Sequence, residues 1–494
     1  MEGCPKGGMV NQHNLLNDFK AFDALNLPFN EQKYKELLER LEVSERMLSE
    51  LENMNERFRF DAEFNKKEFL NIIEQLEQKE FKRLRDTDIQ ILHPAEIKRD
   101  FIEDGVWFFR TQNLRSLKIE KSNDVYISKS DAQRLKNNEI KYGDVLMTRT
   151  GANYGQTAVY NLDEKAIASS HVLILRNSFF NQFFLATFFN TKYGRKMIDK
   201  GMYGAAQPEI SPYYILNIPI PVFSESFQLS IENKYKESEI NLTQSQSLYR
   251  QAEDLLLSTL GLKNFTPSEK GTNIKSFKES FLATRRLDAE YYQVKYAEII
   301  AKIKKQPYAR LGNLVNIKKS IEPGSDVYSD EGLPFIRVAD YNKFGISNPD
   351  KCLSTSYCAA NAELLQSLYP AKETILFSKD GSVGTAFMLR ENMQAITSGA
   401  ILHLTVKDKT KVLPEYLTLA LNSEVVKQQA ERDAGGSIIL HWRIHEIENV
   451  VVPIVDYQIQ RQISALVEES FYLRGASERL LEEAKEMVER EIEN

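Results

Sequence analysis

The sequence predicts an α+β protein, with two tandem mixed α/β domains separated and flanked by long coiled-coil-like helices and related by a pseudo-two-fold repeat. Three observations lead there. A strand-and-turn stretch occurs twice, as Gly143-Asp144-Val145-Leu146-Met147-Thr148-Arg149-Thr150-Gly151 and as Glu373-Thr374-Ile375-Leu376-Phe377-Ser378-Lys379-Asp380-Gly381. Other segments recur in the same order at nearly constant offset. Arg59-Phe60-Asp61-Ala62-Glu63-Phe64 returns 227 residues later as Arg286-Leu287-Asp288-Ala289-Glu290-Tyr291, and Gly105-Val106-Trp107-Phe108-Phe109-Arg110 as Gly332-Leu333-Pro334-Phe335-Ile336-Arg337. Finally, long stretches carry an apolar or small residue every three or four positions, the seam of a helix packed on another helix. A domain-sized period means a duplicated domain, not a solenoid.

In chain order, residues 1–30 lack periodicity and read as an irregular leader. Residues 31–55 read as an N-terminal helix with its seam at Tyr34, Leu37, Leu41, Ser44, Leu48 and Leu51. The first domain spans 56–222. It opens with a helix over 66–80, continues in short β runs, and reaches a helix near 183–200 before a glycine-rich loop over 201–207. Each domain closes on an Ile/Val-Pro run, Ile218-Pro219-Ile220-Pro221 and Val450-Val451-Val452-Pro453. A central long helix over 223–262 places Ile231, Tyr235, Ser238, Leu242, Ser245, Tyr249, Ala252 and Leu256 on one face, with Gly261 as its cap. A polar linker over 263–283 precedes the second domain, 284–455. The C-terminal long helix, 456–494, repeats the spacing at Ile459, Ile463, Leu466, Ser470, Leu473, Ser477, Leu480, Ala484 and Met487. At ~1.5 Å per residue each long helix reaches about 50 Å, enough to hold two domains a fixed distance apart.

Composition narrows the class. The chain has 494 residues, 42% hydrophobic and 27% charged, as a soluble globular protein does. No run approaches the ~20 apolar residues of a membrane helix, and the N-terminus lacks the apolar core of a signal peptide. Three cysteines (Cys4, Cys352 and Cys358) make no disulfide framework and fit a reducing cytoplasm. The net charge is −6, yet residues 56–222 sum to about +3 and 457–494 to about −4, so the average conceals a basic face.

Catalytic motifs fail one by one. Gly381-Ser382-Val383-Gly384 lacks the Gly-Lys-Ser/Thr ending of a phosphate loop. His441 and His445 are four apart, but no glutamate follows His441 and no third ligand is near. Cys352 and Cys358 lack a second pair. Ser169-Ser170-His171 has no nucleophile elbow. The Asp-Ala-Glu that opens each domain fits helix capping better than paired catalytic carboxylates. The Asn/Asp-Pro-Pro-aromatic motif of an amino-methyltransferase is absent. We expect no catalytic, cofactor-binding or metal-binding residue. What remains is a set of polar, cationic and aromatic residues at turn tips in both halves. The first has Arg110, Gln112, Asn113, Arg149, Asn153, Tyr154, Tyr203 and Gln207. The second has Arg337, Asp340, Tyr341, Ser378, Lys379, Ser382, His441, Trp442 and Arg443. Arginine pairs bidentately with guanine and Asn or Gln with adenine, while Lys and Ser suit phosphates. Two matching scaffolds with divergent tips are what reading two DNA sequences requires.

With these motifs assembled, the chain resembles the specificity subunit of type I restriction-modification systems, a family of target-recognition domains. The doubled turns, the Ile/Val-Pro runs leading into long helices, and Arg286-Leu287-Asp288-Ala289-Glu290-Tyr291-Tyr292 carry the resemblance over about 31–494. It implies two target-recognition domains that each read one half of a split site in double-stranded DNA, and helices that act as a ruler. It also implies DNA adenine methyltransferase (modification) subunits, two of them, docked on those helices, and restriction/translocase subunits beside them. S-adenosylmethionine, ATP and Mg would be used by the partners, none by this chain. The helix ahead of the first domain departs from the common layout. Two rivals belong to other classes: a duplicated protein-binding scaffold or oligomerisation module without DNA readout, and an enzyme with an unrecognised site. Steep salt dependence of DNA binding would separate the first rival. Methylation or cleavage by the purified chain alone would reveal the second.

Overall fold

A computed structural model of the chain describes residues 31–39, 41–44, 59, 61–96, 98–121, 123–204, 207–268, 272–436 and 439–494. The expected leader, 1–30, and the whole stretch 45–58, with Leu48 and Leu51 of the expected first seam, lie outside these. The chain forms two compact units, one of residues 1–235 with 482–494, the other of 236–481. Their limits fall inside the two long helices, because each unit takes in the helix segments packed on it.

In the first unit the expected helix over 31–55 is not continuous over its described part, 31–39 and 41–44. Helix Glu31–Leu37 is followed by turn residues, and 41–44 are not helical. The reason is local hydrogen bonding. Lys67 N–H donates to Glu42 Oε1 (2.6 Å), so Glu42 caps a later helix, and Ser44 Oγ donates to Asn65 O (2.7 Å) just ahead of it. That helix, Lys67–Glu77, buries Phe69, Ile73 and Leu76 on one face.

Two four-stranded sheets follow. One has the order Gln90–Leu92, Val172–Arg176, Val145–Thr148, Thr157–Val159, all antiparallel. The other has the order Tyr126–Ile127, Val106–Phe109, Ala166–Ala168, Glu139–Ile140, with 106–109 parallel to 166–168. The unbroken apolar run at 106–109 is explained by burial on both faces. Trp107 and Phe109 pack with Leu146, Ala158 and Tyr160, while Phe108 packs with Ile127, Leu135 and Ile167. Strand Pro219–Pro221 pairs antiparallel with Phe81–Arg83, where a strand lacking two N–H groups can only sit in a short pairing.

The single helix expected near 183–200 is two. Gln182–Asn190 ends where Thr191 turns extended (φ −71°, ψ 164°), and Thr191 Oγ1 then caps Lys192–Gly201 by accepting from Gly194 N–H (3.2 Å). A Cβ at Gly194 would lie 2.1 Å from Phe188 O, so this corner needs glycine. The second helix carries Tyr193, whose hydroxyl donates to Glu493 (3.0 Å), tying down the end of the chain.

The second unit repeats the four-stranded antiparallel sheet of the first and the parallel pair of its other sheet, with a different edge strand. One sheet has the order Val315–Lys319, Ile401–Val406, Ile375–Ser378, Ala386–Met388. The other has the order Tyr328–Ser329, Cys352–Leu353, Leu333–Ile336, Ile396–Thr397, again with one parallel pair, 333–336 with 396–397. Tyr308–Arg310 pairs with Val451–Pro453 as 81–83 does with 219–221. A short helix, Phe281–Thr284, closes the linker.

The long helices are Glu225–Thr259 and Tyr457–Glu493. In the first unit Tyr235 packs on Phe183 (4.9 Å between centroids). In the second unit the helices run antiparallel, with Ser238 Oγ 2.8 Å from Ser477 Oγ and Ser245 Oγ 3.1 Å from Ser470 Oγ. The expected central seam is buried except at the half-buried Leu242. In the C-terminal helix Ile463, Ser470, Ser477 and Ala484 are buried as expected, but Val467, Leu481 and Val488 fill the seam in place of Leu466, Leu480 and Met487. Positions i+3 and i+4 lie on one face, and the facing groove selects between them. No helix among the described residues is long and apolar enough to cross a membrane.

Candidate nucleic-acid interface

The repeated turn gains its shape from a segment about 60 residues further on. Strand 145–148 leads to Arg149, whose N–H donates to His171 O (2.8 Å). The chain returning from helix 192–201 then docks on the turn. Ile210 N–H donates to Arg149 O (3.1 Å), and Gly151 N–H to Pro208 O (3.0 Å). Gly151 (φ +96°) adopts the left-handed backbone that the turn requires. The docked strand places Glu209 against Arg149, and the two side chains form an ion pair. Beside them, Thr150 Oγ1 lies 2.6 Å from His171 Nδ1. Burial lowers the Arg149 pKa, with Tyr203 opposing it. Burial, then the Arg149 charge, also holds the His93 imidazole below its ordinary value. Tyr154 donates to Asp199 Oδ1 (2.9 Å), and Arg195 donates to Tyr154 O (2.9 Å).

In the second unit the same backbone joint carries different side chains. Trp442 N–H donates to Lys379 O (2.7 Å), Gly381 N–H to Leu440 O (2.9 Å), and Lys379 N–H to Ala400 O (2.9 Å). Lys379 pairs with its neighbour Asp380, whose other oxygen lies 2.9 Å from His441 Nδ1. Thus His441 stands where the first unit has Glu209.

A second pair of equivalent corners follows strands 106–109 and 333–336. Arg110 and Gln112 both donate to Asn123 O (2.6 and 3.2 Å). Arg337 is held by Asp340 through Nε and Nη2 (3.0 and 3.1 Å) and reaches Asp350 (3.5 Å).

Several expected tip residues belong to the interior. Asn113 is fully buried. It accepts from Arg110 N–H (3.0 Å) and donates to Glu120 O and Asp124 Oδ1 (both 3.0 Å), so it shapes the corner and offers no face to a ligand. Asp340, buried at the equivalent place in the second unit, likewise accepts from the backbone N–H of Arg337 (2.8 Å). Tyr341 packs with Ile336, Leu376 and Leu389, donates to Thr385 O (3.1 Å), and has its phenol pKa raised by burial. Ser378 is fully buried, donating to Ser382 O and accepting from Thr385 N–H (2.9 Å). Trp442 is core, against Phe377. Exposed at the joints are Asn153, Gln207, Ser382, His441 and Arg443, with Tyr154, Tyr203 and Lys379 half-buried beside them.

Sequence reasoning missed Glu209, His93 and His171. Glu209 lies two residues past Gln207 in a short polar-apolar strand, a signal that could have found it. Asp61 accepts from Phe64 N–H (2.9 Å) as a cap does, and Asp61 and Asp288 each also close a latch. Arg59 pairs with Asp61 and donates to Met202 O (3.0 Å). Arg286 pairs with Asp288 and donates to Asp433 O (2.9 Å). His441 sits on the docked strand and His445 on helix Ile444–Glu448, so they do not share a helix face. Among the described residues no group of three or more His, Cys, Asp or Glu could hold a metal.

Residues 305–480, all within the second unit, match the family model of the type I restriction modification DNA specificity domain. No curated protein matches the chain. Among solved structures, the chain is similar to the S subunit of a type I restriction-modification system from M. genitalium. The identity is 15% over 82% of this chain and 92% of that one, with a TM-score of 0.37. It is also similar to the HsdS subunit from Thermoanaerobacter tengcongensis, at 14% identity over 83% and 95%, with a TM-score of 0.26.

Proposed function

We propose, with residues 305–480 taken as a type I restriction modification DNA specificity domain, that the whole chain is the non-catalytic DNA sequence-specificity subunit of a restriction-modification complex. Residues 56–222 and 284–455 act as tandem target-recognition domains, each reading one half of a bipartite site in double-stranded DNA. The observation that carries this reading is the doubled joint. One backbone construction presents Arg149, Glu209 and His171 in one unit, and Lys379, Asp380 and His441 in the other. A duplicated scaffold with different polar groups at the same place suits two different base sequences.

Direct contacts are assigned to Arg149, Asn153, Tyr154, Tyr203 and Gln207, and to Lys379, Ser382, His441 and Arg443, with Arg110, Gln112 and Arg337 at the second corners. The long helices serve as the ruler for the spacer and as docking surfaces for two adenine-methylating subunits, which use S-adenosylmethionine. Restriction subunits using ATP and Mg join them, and the complex works in the cytoplasm. Selection of bound duplexes from a random pool, with this chain and its co-purifying modification partner, tests the proposal. Two short motifs at fixed spacing are expected. An intact complex that enriches no sequence would overturn it in favour of a protein-binding scaffold.

A further inference from the structure

We propose that Glu209 determines specificity in the first unit: together with Arg149 it reads one G·C base pair in the major groove. This rests on the DNA-reading function above and deepens it. Both side chains are at the surface yet largely enclosed, at 18% exposure for Arg149 and 26% for Glu209. Their backbones are cross-linked by the bonds of Ile210 N–H to Arg149 O and Gly151 N–H to Pro208 O, so the couple is presented by fixed structure.

The fold does not need this ion pair. The second unit makes the same joint with His441 in place of Glu209 and pairs its turn lysine with Asp380 instead. Glu209 also lacks a use in phosphate binding, because a carboxylate beside phosphates repels them. Base edges are different. Guanine O6 and N7 take the fork of an arginine, and the N4 amino group of the paired cytosine donates to a carboxylate. An adjacent guanidinium and carboxylate match that donor and acceptor pattern across one base pair. Because the couple is neutral as a whole, it adds discrimination while adding little to non-specific attraction.

The test is selection of bound duplexes by the complex of this chain with its modification partner, comparing wild type with Glu209→Gln, Arg149→Lys and His441→Ala. Wild type is expected to show a G·C pair at one position of one half-site. Glu209→Gln should relax that position by on the order of tenfold and steepen the salt dependence of binding to random DNA. The other half-site and the melting temperature should not change. Arg149→Lys, which keeps the charge and loses the fork, should relax the same position, and His441→Ala only the other half-site. Unchanged base preference in Glu209→Gln, or uniform loss at all positions with a lowered melting temperature, overturns the inference and leaves the wild-type half-sites standing. A wild type that enriches no sequence overturns the DNA-reading function itself.

Discussion

His403 lies within strand Ile401–Val406, 5% exposed, with Nε2 2.8 Å from Thr397 Oγ1. Burial, with a smaller push from Lys318, lowers its pKa from 6.5 to about 4. A base whose folded pKa is depressed stabilises the fold fully above the unfolded value, and that stability is lost as pH falls from about 6.5 towards about 4. The loss at the acid end is on the order of 3 kcal/mol. Melting of the full chain should therefore fall across this window, and His403→Gln should flatten that part of the profile. An unaltered profile in the variant would show that other groups set the acid sensitivity. Two neighbours at the joint divide in the opposite sense. Trp442, 1% exposed in the core, should destabilise the second unit by about 3–5 kcal/mol on truncation to alanine. His441→Ala should leave the melting temperature within the scatter of surface substitutions. From sequence alone the two residues looked alike as polar-tipped side chains at a turn. Only the docked strand, which alternates its faces, separates them.

Among the elements, the paired serines of the long helices make the sharpest prediction. Ser238 with Ser477, and Ser245 with Ser470, lie one heptad apart in a buried seam, and Ser470 Oγ also donates to Ser245 O (2.7 Å). Removing one hydroxyl leaves its partner buried without a bond. Ser238→Ala should therefore cost about 1 kcal/mol, and the double change with Ser477→Ala no more than the single one. A double-mutant cycle by thermal melting measures this, and strictly additive losses would refute the pairing. Much at this scale was legible in the sequence. The seam spacing located both long helices, and the glycine-bounded apolar runs located the strands. What the sequence did not show has a common physical cause, in that a distant partner decides the local structure. Helix 183–200 breaks at Thr191 because its two halves pack against different neighbours at the Gly194 corner. The choice of Val467 over Leu466 belongs to the facing groove, and Glu42 ends a helix by capping another. Arg149 was recognisable as a cation on a turn, whereas its pairing with Glu209 depends on a segment that returns after four intervening strands and two helices.

At the scale of the whole molecule, duplication was the most legible property of all, because matching positions 227 residues apart preserve the scaffold while the joints diverge. That divergence makes modularity testable. Each joint is built from hydrogen bonds within its own unit: 149–151 with 171 and 208–210, and 379–381 with 400 and 440–442. The residues assigned to base contact in each half therefore owe their placement to that half. Replacing 284–455 with the equivalent span of another such chain should leave the Arg149 and Glu209 joint intact and carry a new joint in place of Lys379, Asp380 and His441. Selection of bound duplexes by the chimera, with the modification partner present, should then return the parent's first half-site joined to a new second one. The spacer should be unchanged, because both long helices keep the parent sequence. If both half-sites changed, base choice would depend on groups shared between the halves, and the one-domain, one-half-site assignment would be wrong. If the half-sites held but the spacer changed, the assignment would survive and the ruler would have to be sought in the domains, not in helices 225–259 and 457–493.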